Sequence, residues 1–175
     1  VCNAAINPHF GPAMTMEDEV FDKMMATNVK SNMWLAHMCI PSMEARGGGS
    51  IVIVSSIGGY RGSATLGAYA ITKAADLQLA RNLAVECGPK NIRANCISPG
   101  YVWTPLVESQ IPDTMATRGL TREQVMNDVL LAAQPTKRFV TPEEVAEAGL
   151  RVLEEVSGRG SSSIWEERDL PSLPS

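Results

Sequence analysis

Several features that mark whole classes of proteins are scarce in this chain of 175 residues. Aromatic residues make up 5% of it, charged residues 19%, and histidine occurs only twice. No apolar run approaches the roughly 20 residues that a membrane-spanning helix needs. Nothing near Val1 resembles a cleavable signal peptide. We therefore expect a soluble, cytoplasmic protein of about one domain.

The chain also has no concentration of positive charge. Its formal net charge is -4, its sequence pI is about 5.2, and its lysines and arginines are scattered. Nucleic acids and anionic membranes attract basic surfaces rather than acidic ones. The composition therefore argues against a nucleic acid or a membrane as a partner.

Cysteine and histidine do not occur in metal-binding patterns. The four cysteines, all far apart in sequence, are Cys2, Cys39, Cys87 and Cys96. This spacing indicates neither a zinc site nor a disulfide framework, so we expect four buried, reduced thiols. His9 and His37 are also distant from each other, and neither has a carboxylate at ligand spacing, so no metal site is expected.

Short apolar runs alternate with helical patterns along the chain. Strands are predicted over about 1–5, 51–54 and 92–97, and helices from about 15 to the glycines at 47–49, over 68–87 and over 141–156. Pro41 is expected to bend or break the first helix. The alternation predicts an α/β fold with a doubly wound parallel sheet in three layers, of the Rossmann-like type. Such sheets bind ligands beyond the carboxyl ends of their strands.

The helix predicted over 68–87 has one apolar side. Its core-facing residues are expected to be Ala70, Leu77, Leu79, Leu83 and Val85. The same pattern places Asp76 and Arg81 on the outside of the helix.

Residues 104–134 form an insertion directly after the last predicted strand, with helical patterns over 105–110 and 122–133. A segment in this position predicts a lid over a binding site, although an ordinary amphipathic helical hairpin has the same pattern. Residues 157–175 are rich in glycine, serine and proline, and we expect them to form a disordered tail.

The run Tyr69-Ala70-Ile71-Thr72-Lys73 carries the clearest chemical signal. A phenol has a pKa near ~10 in water, so it exchanges protons at neutral pH only if its phenolate is stabilised. Lys73 lies one helical turn beyond Tyr69 on the same face, where its ammonium would favour the ionised tyrosine. Ser56 lies thirteen residues before Tyr69 at a strand end, where its hydroxyl could hold the reacting oxygen. Together the three residues predict proton transfer to or from a carbonyl oxygen.

A plainer interpretation places Tyr69 on a half-buried helix face and Lys73 in solvent. The order of the elements, namely a strand, the serine, a glycine-rich loop and then the helix that begins near the tyrosine, favours the catalytic interpretation.

With further motifs added, residues 1–150 resemble the short-chain dehydrogenase/reductase family. The motifs are Asn3-Ala4-Ala5, Asn28 in Thr27-Asn28-Val29, Ser56, Tyr69-Ala70-Ile71-Thr72-Lys73, Asn91-Ile92-Arg93-Ala94-Asn95 and Ser98-Pro99-Gly100. They occur in the family's order and at roughly its spacing. The resemblance implies an oxidoreductase that moves a hydride between NAD or NADP and a secondary alcohol or ketone.

The resemblance also implies a role for each site residue. Tyr69 would be the general acid in reduction and the base in oxidation. Lys73 would lower the pKa of Tyr69 and bind the nicotinamide ribose. Ser56 would bind the substrate oxygen, and Asn28 would hold a water that links Lys73 to solvent. The implied cofactor contacts are Asn3 and Ala4 near the adenosine ribose, and Pro99, Gly100, Val102 and Thr104 near the nicotinamide.

The resemblance defines the substrate less well. The C-terminal half is similar to 3-hydroxybutyrate dehydrogenases, in which a glutamine that matches Gln110 grips the substrate carboxylate. Asn7, Gly58 and Leu66 stand where that subfamily has glutamine, histidine and lysine. We therefore expect Ser56, Gly58, Leu66 and Gln110 to contact the substrate, without specifying hydroxybutyrate.

Parts of the family's domain have no match in this chain. They are the first strand, the glycine-rich phosphate turn, the residue that selects NAD or NADP, and the last strand. We therefore expect residues 1–156 to be the C-terminal part of a single NAD(P)-binding domain, truncated at both ends. The family implies a homodimer or homotetramer for the full-length protein. The alternative function is a catalytically silent fragment that docks to full-length homologues.

Overall fold

Parallel strands form the centre of the fold. The computed structural model of the protein describes residues 1–132 and 134–154, so the tail predicted over 157–175 lies outside the described residues. Strand β1 (Gly49–Val54) pairs in parallel and in register with β2 (Ile92–Ile97). On the other side of β1, Cys2 forms a parallel bridge to Ile53. The N-terminal residues therefore continue the sheet, as their apolar run predicts.

The described ranges contain six α-helices. They are α1 (Asp18–Met25), α2 (Ser31–Ala45), α3 (Gly67–Cys87), α4 (Pro105–Arg118), α5 (Arg122–Gln124) and α6 (Pro142–Glu154). Two segments have the wider π-helical turn: Ala26–Lys30 joins α1 to α2, and Val125–Leu130 follows α5.

Helices cover both faces of the sheet. Ile51 and Ile53 of β1 lie in a buried cluster with side chains of α2 and α3. Side chains alternate along a strand, and Arg93 of β2 points away from this cluster. Its guanidinium donates hydrogen bonds of 3.3 and 3.0 Å to the carbonyls of Val152 and Leu153 at the end of α6. The result is three layers around part of a doubly wound parallel sheet, which confirms the predicted fold class.

Of the two predicted effects of Pro41, a bend or a break, the break does not occur. Helix α2 continues through Pro41 to Ala45. Both Pro41 and His37, whose carbonyl loses its helical partner, are exposed, so water can bond that carbonyl. The real irregularity is the π-helical segment Ala26–Lys30, which contains Asn28. Such π-turns occur frequently at functional sites.

Helix α3 buries a different set of residues from the predicted one. Asp76 is 0% exposed and Val85 is 79% exposed, so both of these predictions are wrong, whereas Arg81 is exposed as predicted. The helix packs against the sheet on one side and against α1 and α2 on another, so its buried stripe is wide. This stripe includes both Lys73 and Asp76, which form an ion pair.

The residues after β2 pack around a second apolar cluster of Ile111, Val125 and Leu130. Helix α4 runs to Arg118 rather than to residue 110, and the helical pattern over 122–133 is divided between α5 and a π-helical segment. The insertion is therefore a packed helical unit with its own small core.

The thiols are free, as predicted, but not all of them are buried. Cys2 and Cys87 are buried, Cys96 is half-buried and Cys39 is exposed, so the expectation of four buried thiols is wrong for Cys39. Within the described ranges, no helix is both long enough and apolar enough to cross a bilayer.

Gly59 allows the loop after β1 to lie directly on α3. A Cβ atom there would lie 2.8 Å from the Lys73 carbonyl carbon and 2.9 Å from the Ala74 nitrogen. We expect Gly59→Ala to lower the free energy of unfolding by roughly 1–3 kcal/mol, because backbone atoms cannot move aside cheaply. Chemical denaturation measures this change.

Gly62→Ala is the matched control for Gly59→Ala, because a Cβ atom at Gly62 has nothing within 4 Å. Its free energy of unfolding should change by less than about 1 kcal/mol. Equal effects of the two substitutions would contradict the close approach of Gly59 to α3.

Candidate active site

A cavity of about 440 Å³ opens at the carboxyl ends of the strands, where α/β sheets bind ligands. Eleven of the predicted site residues line it. They are Asn3, Ser56, Gly58, Leu66, Tyr69, Lys73, Pro99, Gly100, Val102, Thr104 and Gln110. The fold thus brings to one cavity residues that are spread over most of the sequence.

Two predicted site residues do not line this cavity. Ala4 is exposed, beside Asn3. Asn28 is fully buried behind the cavity wall, where its Nδ2 donates to the Ile6 carbonyl and to Thr72 Oγ1, both at 3.0 Å. Its Oδ1 accepts from the Ile6 N–H at 2.8 Å. The Asn28 side chain therefore ties the π-helical turn to the N-terminal loop and to α3.

Sequence reasoning missed part of the cavity lining. Leu106 and Val107 line it from α4, one helical turn before Gln110. Their spacing from Gln110 was a usable signal, because residues three and four apart share a helix face. Arg61, in the loop before α3, also lines the cavity, and no pattern in the sequence singled it out.

Asn7, which stands where 3-hydroxybutyrate dehydrogenases have a glutamine, has a clear chemical meaning in the structure. It lines the cavity, and its Oδ1 is buried without a hydrogen-bond partner among the described residues. Buried polar atoms in native proteins nearly always have a partner. An orphaned acceptor at a cavity wall is therefore a site at which a bound molecule can donate a hydrogen bond.

Ser56 is held at the end of β1 by the turn that follows it. Its Oγ accepts a hydrogen bond of 3.1 Å from the Gly58 N–H, and it caps the short 3₁₀ turn Ile57–Gly59. A further side-chain hydrogen bond joins Ser56 to Tyr69. The two hydroxyls predicted to share one substrate oxygen are therefore adjacent in the folded chain.

The pKa of Tyr69 lies above its ordinary value of 10.0, the opposite of the expected direction. Burial is the main cause, the hydrogen bond with Ser56 opposes it, and the negative charge of Asp76 raises the pKa further. The phenol is therefore protonated at neutral pH. The expected lowering by Lys73 is not among these causes; its Nζ lies 5.7 Å from the Tyr69 ring centroid.

Lys73 is only 2% exposed, so the interpretation that placed it in solvent is wrong. Its Nζ donates to the Val54 carbonyl at 2.8 Å and to Asp76 Oδ2 at 3.1 Å. The side chains of this ion pair are 3% and 0% exposed. An ammonium has three N–H donors, so one remains for a molecule in the cavity, which Lys73 lines.

These groups fit the ribose end of a nicotinamide cofactor. Ribose hydroxyls both accept and donate hydrogen bonds, and the wall offers the remaining donor of Lys73 and the unpaired acceptor of Asn7. The described residues contain no group of three or more histidine, cysteine or acidic side chains that could hold a metal ion.

Comparison with known proteins gives a consistent result. The family model described as enoyl-(acyl carrier protein) reductase matches residues 1–159. The chain is 42% identical over 132 residues to D-beta-hydroxybutyrate dehydrogenase of Rhizobium meliloti (strain 1021), covering 75% of this chain and 51% of that protein. It is 38% identical over 146 residues to dehydrogenase/reductase SDR family member 4 of Mus musculus, covering 83% of this chain and 49% of that one.

Two solved structures of reductases are also similar to this chain. L-sorbose reductase from Gluconobacter frateurii, complexed with NADPH and L-sorbose, superposes with a TM-score of 0.78 at 30% identity, covering 86% of this chain and 57% of that one. Levodione reductase gives a TM-score of 0.77 at 29% identity, covering 87% and 58%. The chain thus spans about half the length of the curated relatives it matches.

The buried pair of Lys73 and Asp76 predicts a large stability difference. Lys73→Met leaves the Asp76 carboxylate buried without its cation and should lower the free energy of unfolding by roughly 3–5 kcal/mol. The double substitution Lys73→Met/Asp76→Leu removes both charges and should recover most of that loss. Chemical denaturation of both variants measures the two effects.

Lys90→Met is the matched control, because the Lys90–Glu44 pair has side chains that are 40% and 48% exposed. It should leave the unfolding midpoint nearly unchanged. A double variant less stable than Lys73→Met alone would contradict the assignment of a buried, mutually compensating pair.

Proposed function

The chain belongs to the short-chain dehydrogenase/reductase family, and on that premise we propose that it carries the proton-transfer half of an NAD(P)-dependent oxidoreductase acting on secondary alcohols and ketones. The observation that carries the proposal is the meeting of Tyr69, Ser56 and Lys73 at one cavity wall. A phenol, a hydroxyl and an ammonium at one wall suit protonation of a carbonyl oxygen.

The proposed reaction uses the side chains as follows. A ketone oxygen accepts hydrogen bonds from Ser56 Oγ and from the Tyr69 phenol. A bound nicotinamide cofactor supplies the hydride in reduction and accepts it in oxidation. As the carbonyl oxygen becomes more negative, Tyr69 gives it the phenolic proton, and the product is the neutral alcohol. In oxidation the proton moves from the alcohol oxygen to the tyrosine oxygen.

Lys73 has two roles in this proposal. Its remaining N–H would bind a ribose hydroxyl of the cofactor, and its positive charge would favour the tyrosine oxygen after the proton has left. Asn3, Pro99, Gly100, Val102 and Thr104 would line the cofactor site, with Ala4 beside it. For Asn28, the supporting observation is structural: its buried side chain joins three segments behind the site. A water link from Asn28 to Lys73 remains a prediction of the resemblance.

The lining of the cavity favours a class of substrates and does not select one compound. Gly58, Leu66 and Gln110 line the cavity together with Leu106 and Val107, so this part of the wall is mainly apolar with the amide of Gln110. This favours a small or medium-sized ketone that is neutral or carries a single negative charge, which Arg61 of the same cavity could meet. Residues 104–134, which supply part of the wall, would act as the lid.

An assembly of two or four copies is also proposed. Helix α2 exposes a run of large apolar side chains: Met33, Trp34, Leu35 and Met38. Ile71 of α3, a helix that packs against α2, is 49% exposed. An exposed apolar face of this kind is typical of a protein interface. The same face supports the alternative function, a catalytically silent fragment that docks to full-length homologues.

A cytoplasmic location is part of the proposal as well. Its support is that Cys2, Cys39, Cys87 and Cys96 are all free thiols, the state that a reducing compartment maintains.

Tyr69→Phe tests the proposed function. In the natural full-length protein, NADPH- or NADH-dependent reduction of a panel of neutral ketones and of acetoacetate should fall by roughly 10²–10⁴-fold, because the general acid is lost. Cofactor affinity, measured by nucleotide fluorescence, should stay nearly unchanged.

Tyr60→Phe is the control for Tyr69→Phe. It removes a hydroxyl from a tyrosine that is 48% exposed and does not line the cavity that Tyr69 lines. It should leave turnover unchanged. A Tyr69→Phe protein that keeps most of its activity would remove Tyr69 from the mechanism. A natural protein that has no activity on the panel yet binds a full-length homologue would support the docking alternative.

Trp34→Glu tests the proposed assembly. Trp34 is 57% exposed on α2, and a charge there should shift the natural protein towards monomer in sedimentation or light-scattering measurements. Met14→Glu, at a position that is 92% exposed in a different segment, is the control and should not alter the mass. An unchanged mass for Trp34→Glu would place the interface elsewhere.

A further inference from the structure

Asp76 is a buried acidic residue for which the proposed reaction has so far required no role. It is 0% exposed, and both of its carboxyl oxygens accept hydrogen bonds from nitrogen donors. Asn32 Nδ2 donates to Oδ1 at 2.9 Å, and Lys73 Nζ donates to Oδ2 at 3.1 Å. Burial raises the pKa of Asp76, and the ammonium of Lys73 and the amide of Asn32 oppose that rise because both donate to the ionised carboxylate.

Asn32 connects Asp76 to the π-helical turn. Its Nδ2 also donates to the backbone carbonyl of Asn28 at 2.7 Å. Asn28 in turn bonds through its side chain to Thr72 Oγ1, and Thr72 Oγ1 donates to the Tyr69 carbonyl at 2.8 Å. A buried polar network therefore joins the π-helical turn to α3 at two places. Asn32 connects it to Asp76 and Lys73, and Asn28 connects it to Thr72, whose hydroxyl bonds the Tyr69 carbonyl.

This network restricts the Lys73 ammonium. Two of its three donors are fixed, one by Asp76 and one by the Val54 carbonyl. The long lysine side chain is thereby held in one place, and the remaining donor is the one available to the cavity. The carboxylate also balances the ammonium charge, so the net charge beside the tyrosine is near zero.

Resting on the proposed function, we propose that Asp76 is a positioning residue of the reaction: it holds the Lys73 ammonium in place and balances its charge, so that Tyr69 works as a proton donor in ketone reduction. A lysine without this partner would favour the phenolate, which is the form needed for alcohol oxidation. A residue outside the cavity thereby adds to the effect of burial in keeping Tyr69 protonated.

The surroundings of Asp76 contain few other charges that could explain such an effect. Titratable groups that interact electrostatically with it include Lys73 and Tyr69 of α3, Cys2 of the N-terminal strand and Cys96 of β2. Burial raises the pKa of Cys2, and that of Cys96 to about 11, so both thiols are neutral at physiological pH. The Asp76 carboxylate, which is paired with Lys73, is thus the charge in this group that acts on Tyr69.

A tyrosine titration tests the proposal without requiring turnover. The chain has three tyrosines, so Tyr60→Phe/Tyr101→Phe leaves Tyr69 as the lone phenol, and its phenolate is followed by near-ultraviolet absorbance. In this background Asp76→Asn removes the negative charge at nearly constant shape. The Tyr69 midpoint should fall by roughly one pH unit or more, the size of shift that one neighbouring charge produces.

Asp22→Asn, an equal charge change at an exposed position of α1, is the matched control and should not move the midpoint. A midpoint that stays unchanged or rises in Asp76→Asn overturns the proposal. In the natural protein, Asp76→Asn should lower the pH at which kcat/KM for oxidation of a simple secondary alcohol, such as 2-butanol, reaches its plateau. The decrease should equal the shift of the Tyr69 midpoint. An unshifted pH profile overturns the proposal too.

A second measurement covers the case in which Asp76→Asn does not fold. Carbon NMR of carboxyl-labelled aspartate in the unsubstituted chain reports the charge of Asp76 directly. An ionised Asp76 at neutral pH supports the proposal, and a protonated one overturns it. These outcomes are separate from the test of the proposed function, which depends on turnover by the natural protein and on its loss in Tyr69→Phe.

Discussion

Two hydrogen bonds tie α3 to the end of β1, and the geometry of the site depends on them. Ser55 Oγ donates to the Lys73 carbonyl at 2.7 Å, and Lys73 Nζ donates to the Val54 carbonyl at 2.8 Å. The first bond is accepted by the backbone of α3 and the second is donated by a side chain of α3. Together they oppose both sliding and rotation of the helix against the strand. Ser56, the next residue of the chain, is consequently held beside Tyr69, one turn earlier on α3. Gly59 completes this contact, because only a residue without a side chain lets the loop rest on the helix backbone.

The electrostatics of the site follow from the same close packing. Burying an ammonium is costly unless a charge of opposite sign accompanies it, and Lys73 could not occupy this position without Asp76. The pair in turn reduces the direct effect of the lysine on the phenol, so burial dominates and the pKa of Tyr69 rises. A lysine one turn from a tyrosine is therefore not sufficient to lower the pKa of the phenol. The charged partner of the lysine adds to the rise, because the Asp76 carboxylate also disfavours the phenolate.

Much of the fold and of the cavity was predictable from the sequence, because the signals involved are local. The strand over 92–97 agrees with β2 residue for residue, and the site residues lie at strand ends where parallel sheets bind ligands. The failures have a common physical cause: they concern partners that are distant in sequence. Helical periodicity places Asp76 on the solvent side of α3. In the structure Asp76 is buried and accepts a hydrogen bond from Asn32, which lies 44 residues away in sequence. The π-helical turn at Asn28 likewise depends on the backbone of Ile6, which no pattern within the helix reveals.

The cavity is built from two parts with separate cores, and this division bears on how specificity can arise. Tyr69, Ser56 and Lys73 belong to the sheet and α3, whose packing allows little adjustment. Gln110 and its neighbours on α4 face the same cavity, but the other side of that helix contributes Ile111 to the core that also contains Val125 and Leu130. Substitutions on α4 can therefore reshape the substrate wall without moving the proton-transfer groups. A single arrangement of tyrosine, serine and lysine can then serve ketones of different shape, with selection left to the helical unit that covers them.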